Sequence, residues 1–376
     1  MLGNTFGRMF RITTVGESYG IGKGSGLAVI IDGVPPGLKL SDELVQKEMD
    51  KRRPGVGKLN SPRLETDQCH IFAGMAQDGV TTGAPVGIII YNVDTQDIHI
   101  EQYKEYKDLC RPGHATYGFF KKYGESQDWC GAGRSSGRET VGRVAGGAVA
   151  MHILEQEGIE IISYTTECMG IKAKEMSFDE AKANLRKNEI NCPDLEAAEE
   201  MEKLVLKIKD EGDTAGGIIQ LRIKGVPAGL GEPVFDKLDA ELGRMLGIGA
   251  VKGVEVGAGF AVKDMTGYES NDQIHAQDGK VVFDSNNAGG ITGGLSTGQA
   301  IVARLAVKPT PTIDKPQHTI DKYTLENKDL AAITRRDPTI VARIWPIAEN
   351  YTAMIMLDNL MSYYGYETIK NKIANS

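Results

Sequence analysis

The chain reads as an α+β protein organised as one large domain over residues 1–376. Three observations carry this reading. Strand-like and helix-like stretches alternate irregularly, without the strict βαβ repetition of a parallel α/β fold. The glycine runs do not form a phosphate-binding fingerprint between a strand and a helix: GIGKGS at 20–25 is neither a Walker A loop nor a GxGxxG unit. No Pro- or Ser-rich linker divides the 376 residues, although such a length allows two or three domains.

The elements follow in order. Residues 9–15 and 27–32 are apolar and β-branched, which predicts two strands flanking the loop VGESYGIGKGS at 15–25. Ser41 caps a helix to Arg53, with Asp42 and Glu43 in its first turn and Pro54 as its stop. PVGIIIY at 85–91 predicts a buried strand. From Glu139 to Gln156, Val141, Val144, Ala145, Ala148 and Val149 recur at helical spacing, which gives a helix with a small-residue face. Ser177 and Glu180 form a capping box before DEAKANLRKN. Pro193 opens a charged helix to about Glu211. GGIIQLRIKGV (216–226) predicts a strand, VFDKLDAELGRML (234–246) an amphipathic helix and EVGAGFAV (255–262) a strand. A last helix, 348–365, ends at Gly365.

Composition narrows the function. A net charge of −8 is the wrong balance for a general nucleic-acid binder. No run of 18 apolar residues predicts a membrane span, and the N-terminus has no signal-peptide layout. The five cysteines are far apart and form no CxxC, so neither a zinc site nor a disulfide framework is expected. The expectation is a reduced, cytosolic chain. The 46 glycines cluster in short loops, where they serve turns or close approach to a ligand.

The chemistry lies in cations that occupy Gly/Pro loops. KRRPGVGKLNSPR supplies Arg52, Arg53, Lys58 and Arg63. CRPGHATYG supplies Arg111 and His114. GRSSGRET supplies Arg134 and Arg138 beside Ser135 and Ser136, and leads into a helix whose positive end favours an anion. KPTPT supplies Lys308, Thr310 and Thr312, and TRRDP supplies Arg335, Arg336 and Asp337. One such arginine is usually a solvated charge. Five such loops in an acidic chain point to a polyanionic small ligand, since guanidinium forks with hydroxyl and N–H donors match phosphate and carboxylate. His114, in a loop beside Arg111, is a candidate general acid near neutral pH. His152 reads as core, and His70, His99, His275 and His318 show no metal-ligand spacing.

Taken together, GESYG, RRPG, VTTGAPVG, RPGHA, GRSSGRET, AVKGVEVG, NNAGGITGG, KPTPT and RRDPT resemble the ordered motif series of chorismate synthases, from about Gly3 to Glu349. The resemblance implies a β-α-β sandwich, usually a homotetramer. It also implies a 1,4-anti elimination that converts 5-enolpyruvylshikimate 3-phosphate to chorismate and phosphate, the last step of the shikimate pathway. The cofactor implied is reduced FMN, with NADPH as a candidate reductant. By motif position, Arg134, Ser135, Ser136, Gly249, Ala250, Gly293, Lys308, Pro309, Thr310, Pro311, Thr312 and Arg335 match flavin-binding positions. Arg52, Lys58, Arg53 and Arg138 match sites for substrate or NADP phosphate. His114, Asp337 and Tyr19 stand at the catalytic positions.

The chain departs from the family pattern at four points. Tyr19 replaces the histidine of GESHG, Arg336 replaces His or Ser in the last motif, Thr116 replaces Asp after RPGHA, and residues 21–25 lengthen the first loop. A phenol, with an ordinary pKa of about 10, can donate a proton or a hydrogen bond but cannot present a positive charge. Two readings follow: an active elimination enzyme, or a homologue that binds FMN and the phosphorylated substrate without turnover.

Overall fold

The computed structural model describes residues 3–19, 24–53, 57–59, 66–93, 97–331 and 337–374. Its first sheet contains β1 (Thr5–Phe6), β2 (Arg11–Gly16), β3 (Gly26–Asp32), β4 (Cys69–Ala73) and β5 (Val86–Tyr91). These run in the order β1-β2-β3-β5-β4, every pair antiparallel. Period-2 alternation sets the faces: Leu27, Val29 and Ile31 point inward along β3, opposite Ile88 and Ile90 of β5. The second sheet contains β6 (Glu160–Cys168), β7 (Ile171–Lys172), β8 (Gly217–Lys224), β9 (Val251–Val256) and a strand at 301–307, in the order β7-β6-β8-(301–307)-β9. Between β9 and that strand lie two ribbons, β10 (Ile274–Gln277) with β11 (Lys280–Phe283) and β12 (Ile291–Thr292) with β13 (Leu295–Ser296). The strand Ile301–Val307 is therefore β14, and a third ribbon joins β15 (Gln317–Ile320) to β16 (Asn327–Leu330).

Helices pack on and around the two sheets. In chain order they are α1 (Asp42–Arg52), α2 (Asp97–Glu105), α3 (Thr116–Tyr123), α4 (Thr140–Gln156), α5 (Phe178–Asn184), α6 (Leu195–Asp210), α7 (Leu238–Gly243), α8 (Gly267–Ser270) and α9 (Val341–Ala374). α4 lies on β2 and β3, α9 lies on β6 and β8, and the two helices pack along each other with α1 beside both. This is the β-α-β sandwich. The small-residue face of α4 makes it possible: a Cβ at Gly147 would sit 2.4 Å from Asn350 of α9, and one at Gly142 would sit 2.9 Å from Thr14 of β2. One contiguous core, from Phe10 and Ile31 through Val144 and Met354 to Leu221 and Leu305, spans both sheets. No helix among the described residues is long and apolar enough to cross a membrane.

Most elements fall where the sequence puts them. Ser41 caps α1 through Leu44 N, and the Ser177–Glu180 capping box forms. Asp194 caps α6, so that helix starts just beyond Pro193. The departures have local causes. The stretch predicted as a strand over 255–262 leaves β9 at Val256. There Gly257 and Gly259 take φ of 60° and 56°, and the Glu255 carboxylate accepts from Phe260 N at 2.9 Å. Residues 234–237 stay outside α7, with Phe235 91% exposed. The segment after α5 breaks at Leu185, so DEAKANLRKN is helical only to Asn184. The last helix begins at Val341, before Pro346, and runs past Gly365. Pro346 cannot donate to the Ala342 carbonyl, and the Trp345 indole Nε1–H does so instead at 3.0 Å. A glycine inside a helix costs only about 1 kcal/mol, too little to stop one anchored over its whole N-terminal half.

Candidate active site

The CRPGHATYG stretch is a closed loop before α3. Arg111 N donates to Thr116 Oγ1 at 2.8 Å and His114 N to Arg111 O at 3.2 Å. Thr116, where the family commonly has Asp, thus closes the turn with its hydroxyl. Gly113 sits at φ 68°, and its carbonyl accepts from Lys308 Nζ at 2.6 Å. One Arg111 guanidinium nitrogen lies 3.3 and 3.4 Å from the two ring nitrogens of His114. Near-equal distances to both ring nitrogens mean that the cation sits over the imidazole face, not in its plane. Burial, then Arg111, then Lys308 push the His114 pKa down to about 3. The imidazole is thereby held neutral at pH 7. The sequence shows a loop histidine but not its half-buried position between two cations.

His114 and Arg111 form a wall shared by two clefts. The larger, about 440 Å³, is also lined by Tyr103, Tyr106, Ser135 and Lys322. The smaller, about 270 Å³, is bounded by Pro311, Thr312, Lys315 and Gln317. Burial raises the Tyr106 phenol well above its ordinary pKa. Arg111 stands over the Tyr106 ring at 6.0 Å, Tyr106 packs edge-on against Tyr103 at 5.7 Å, and Tyr103 against Tyr19 at 5.5 Å. Tyr19 is thus one ring behind the cleft wall, 3% exposed, with its carbonyl accepting from Ser25 Oγ at 2.8 Å.

Residues Lys308 to Thr312 join several predicted positions. Lys308 N donates to Ala250 O at 2.9 Å, where Ala250 takes φ 74°. Next to it, a Cβ on Gly249 would point into open space. Thr214 Oγ1 donates to Thr310 O at 2.8 Å, and Thr310 Oγ1 donates to Asp337 O at 2.7 Å. Asp337 Oδ1 accepts from Arg343 Nη1 at 2.9 Å. Pro309 and Pro311 restrict the backbone of this stretch, and Pro311 faces Gly113. One strip of backbone thereby connects the 249–250 turn, the His114 loop and Asp337.

The GRSSGRET loop lies on the other side of the larger cleft. Arg134 is gripped by protein groups: Nη1 donates to Gly16 O at 2.9 Å and pairs with Glu139 at 2.8 Å. Its Nη2 donates to Asn4 Oδ1 at 3.0 Å and Thr14 Oγ1 at 2.9 Å. It pins the loop to β2 and leaves the cleft face to Ser135. Ser136 caps the short 3-10 turn before α4 by accepting from Arg138 N at 3.2 Å. Burial raises the Glu139 carboxyl to about 7. Arg52 and Arg138 both bond the buried Asp67 carboxylate, and each is only 4% exposed.

Other predicted positions stand apart from this cluster. Gly293, at φ 65°, turns the β12–β13 ribbon that packs on Gly231 and Lys237. Arg53 pairs with Asp50 at 3.3 Å, and Lys58 is exposed on a turn whose carbonyl accepts from Lys209 Nζ at 2.8 Å. Arg335, Arg336, Lys23 and Arg63 lie outside the described residues. The cysteines are all free, and no group of three metal-ligating side chains occurs among the described residues. Sequence reasoning missed Asp67, Asn92, Tyr103, Tyr106 and Arg343, because nothing local marks a residue whose partner is distant in the chain.

Comparison with known proteins bears on this constellation. Residues 10–361 match the family model described as chorismate synthase. The chain is 52% identical over 387 aligned residues to the chorismate synthase of Acetivibrio thermocellus, covering 99% of this chain and 98% of that one. It is 49% identical over 362 residues to the chorismate synthase of Methanococcoides burtonii, covering 96% of each. A solved crystal structure of chorismate synthase superposes with a TM-score of 0.75 at 26% identity, covering 98% of both chains. Matched by the family model over most of its length and about half identical to these relatives, the chain belongs to the chorismate synthase family, whose members are lyases.

Proposed function

We propose that the chain converts 5-enolpyruvylshikimate 3-phosphate to chorismate and phosphate by 1,4-anti elimination, with reduced FMN bound, as the last step of the shikimate pathway. One observation carries the reading: Arg111 and His114 form the wall between two clefts, while Lys308 holds their loop through Gly113 O and Thr310 bonds Asp337 O. The donor set fits a flavin and a phosphorylated dicarboxylate, because hydroxyls, ammonium groups and a guanidinium line the two clefts. In this reading Lys308 to Thr312, Ser135, Ser136, Gly249 and Ala250 hold FMN, and Arg335 and Gly293 match flavin-binding positions of the family. Bound reduced flavin supplies electron density beside the allylic system.

The protein handles charge and protons. The C–O bond to phosphate breaks, a ring proton leaves, and the diene forms with no net redox change. Lys308 has three N–H donors, and Gly113 O takes one. Arg111 and Lys308 receive the phosphate. An incoming dianion offsets the two cations that depress His114, so the imidazole takes a proton where the leaving group needs one. In this reading Asp337, whose carboxylate Arg343 orients, accepts the proton lost. Tyr19, at the position of the family's histidine, sits behind Tyr103 and bears on the site through the Tyr103–Tyr106 ring stack. Arg52 and Arg138 serve the substrate's anionic groups. Arg53 and Lys58 serve a nicotinamide nucleotide phosphate.

We further read the chain as a single domain and a cytoplasmic homotetramer. Exposed Phe260, Tyr268, Ile274 and Val281 support assembly, because they put large apolar side chains within one stretch of sequence around the β10–β11 ribbon. Phosphate release on mixing the full chain with anaerobically reduced FMN and the phosphorylated substrate tests the reaction.

A further inference from the structure

Asp67 is fully buried, and each of its carboxylate oxygens accepts from a different guanidinium, Oδ2 from Arg52 and Oδ1 from Arg138. Its backbone takes φ 47°, and its carbonyl accepts from Gln46 Nε2 at 3.3 Å. Left-handed backbone at a non-glycine residue persists only where surroundings over-determine it. Arg138 Nε donates to Asn92 Oδ1 at 3.0 Å. Asn92 Nδ2 in turn donates to Glu17 O and to Ser25 Oγ, each at 3.0 Å, and Ser25 Oγ donates to Tyr19 O. Arg343, bonded to Asp337, also acts electrostatically on Asp67. One buried carboxylate thus stands at the centre of a network that reaches the α1 terminus, the GRSSGRET loop, the Tyr19 loop and the arginine beside Asp337. A buried ion cluster is a poor way to gain stability, since apolar side chains of the same volume do as well. Its use lies in fixing geometry.

We propose that Asp67 is a positioning residue: it holds Arg52 and Arg138 as a pair and, through Asn92, in register with the loop that carries Tyr19. The inference rests on the reading of those two arginines as contacts for the substrate's anionic groups. Without Asp67 the two cations repel, and the pair loses its spacing before a ligand arrives.

The test is calorimetric titration of 5-enolpyruvylshikimate 3-phosphate into the full chain with FMN present, for wild type and Asp67→Asn, with thermal melts as the check on folding. The substitution should raise Kd about tenfold or more, because one oxygen becomes an amide donor facing a guanidinium. A purely structural Asp67 would lower the melting temperature and leave Kd within about twofold, which would overturn the proposal. Wild type that fails to bind the substrate would also overturn it. Wild type that binds but releases no phosphate would remove the elimination reading and leave this inference standing. Should Asp67→Asn not fold, Asn92→Ala removes the link between Arg138 and the Tyr19 loop, through Glu17 O and Ser25 Oγ; Kd should rise about threefold, and an unchanged Kd would count against the network.

Discussion

The His114 side chain offers a quantitative check on how the site handles charge. Its pKa stands near 3 in the ligand-free structure, against an ordinary 6.5, so charging it costs roughly 5 kcal/mol at about 1.36 kcal/mol per pKa unit. Two of its three causes are the cations of Arg111 and Lys308. A negative charge brought to about 5 Å at an effective dielectric constant near 20 is worth roughly 3 kcal/mol, or about two pKa units. Binding a phosphate dianion should therefore lift His114 by two units or more. The chain has six histidines, so a ring-labelled sample with His114→Gln for assignment resolves the signal by NMR. Ligand-free His114 should stay neutral down to about pH 4, then titrate near or above pH 5 with the substrate bound. A ligand-free value close to 6.5, or no shift on binding, would refute the reasoning. In that case His114 would be a solvated surface histidine.

Two further predictions concern other buried groups. Tyr19→Phe keeps the ring packed on Tyr103 but removes the phenol. If the phenol donates, turnover falls at least about tenfold, as for other lost acid–base groups, whereas Tyr19→His raises it; an unchanged rate with Phe would make Tyr19 a packing residue only. Glu349 is 2% exposed on α9, accepts from Ser163 N at 2.8 Å and is raised by burial to about 7. A folded-state pKa above the unfolded value means stability fully present below about pH 4.5 and lost as pH rises through 7. Glu349→Gln should therefore raise the melting temperature at pH 8 and gain nothing at pH 4; equal effects at both would show that Glu349 does not titrate on unfolding.

Local chemistry made much of the fold legible. Ser41, the Ser177–Glu180 box and the strands on either side of the first loop are decided by neighbours within a few residues, and each forms near its expected bounds. Where two signals competed, the sequence misled. Val256 and Phe260 look like one strand until Gly257 and Gly259 bend the chain between them. The last helix, expected from 348, begins at Val341, with the Trp345 indole donating to the carbonyl that Pro346 leaves without its usual donor.

The site shows the same division. The motif order placed His114, Lys308, Thr310 and Asp337 in one series, and the structure joins them. The partner that meets Arg52 and Arg138 was not legible, because Asp67 lies 15 and 71 residues from them. In the sequence both arginines belong to the cations of the loops; in space they share a buried carboxylate. The His114 shift was equally hidden, since burial and the approach of Lys308 depend on the 308–312 strip crossing the loop.

The most direct test of the central claim is a single anaerobic assay. Purified chain, photoreduced FMN and 5-enolpyruvylshikimate 3-phosphate are mixed, and phosphate and chorismate are followed together. The account predicts equimolar release of both, with turnover abolished when the flavin is left oxidised. Tight binding of FMN and substrate with neither product formed would contradict it and make the chain a binding homologue.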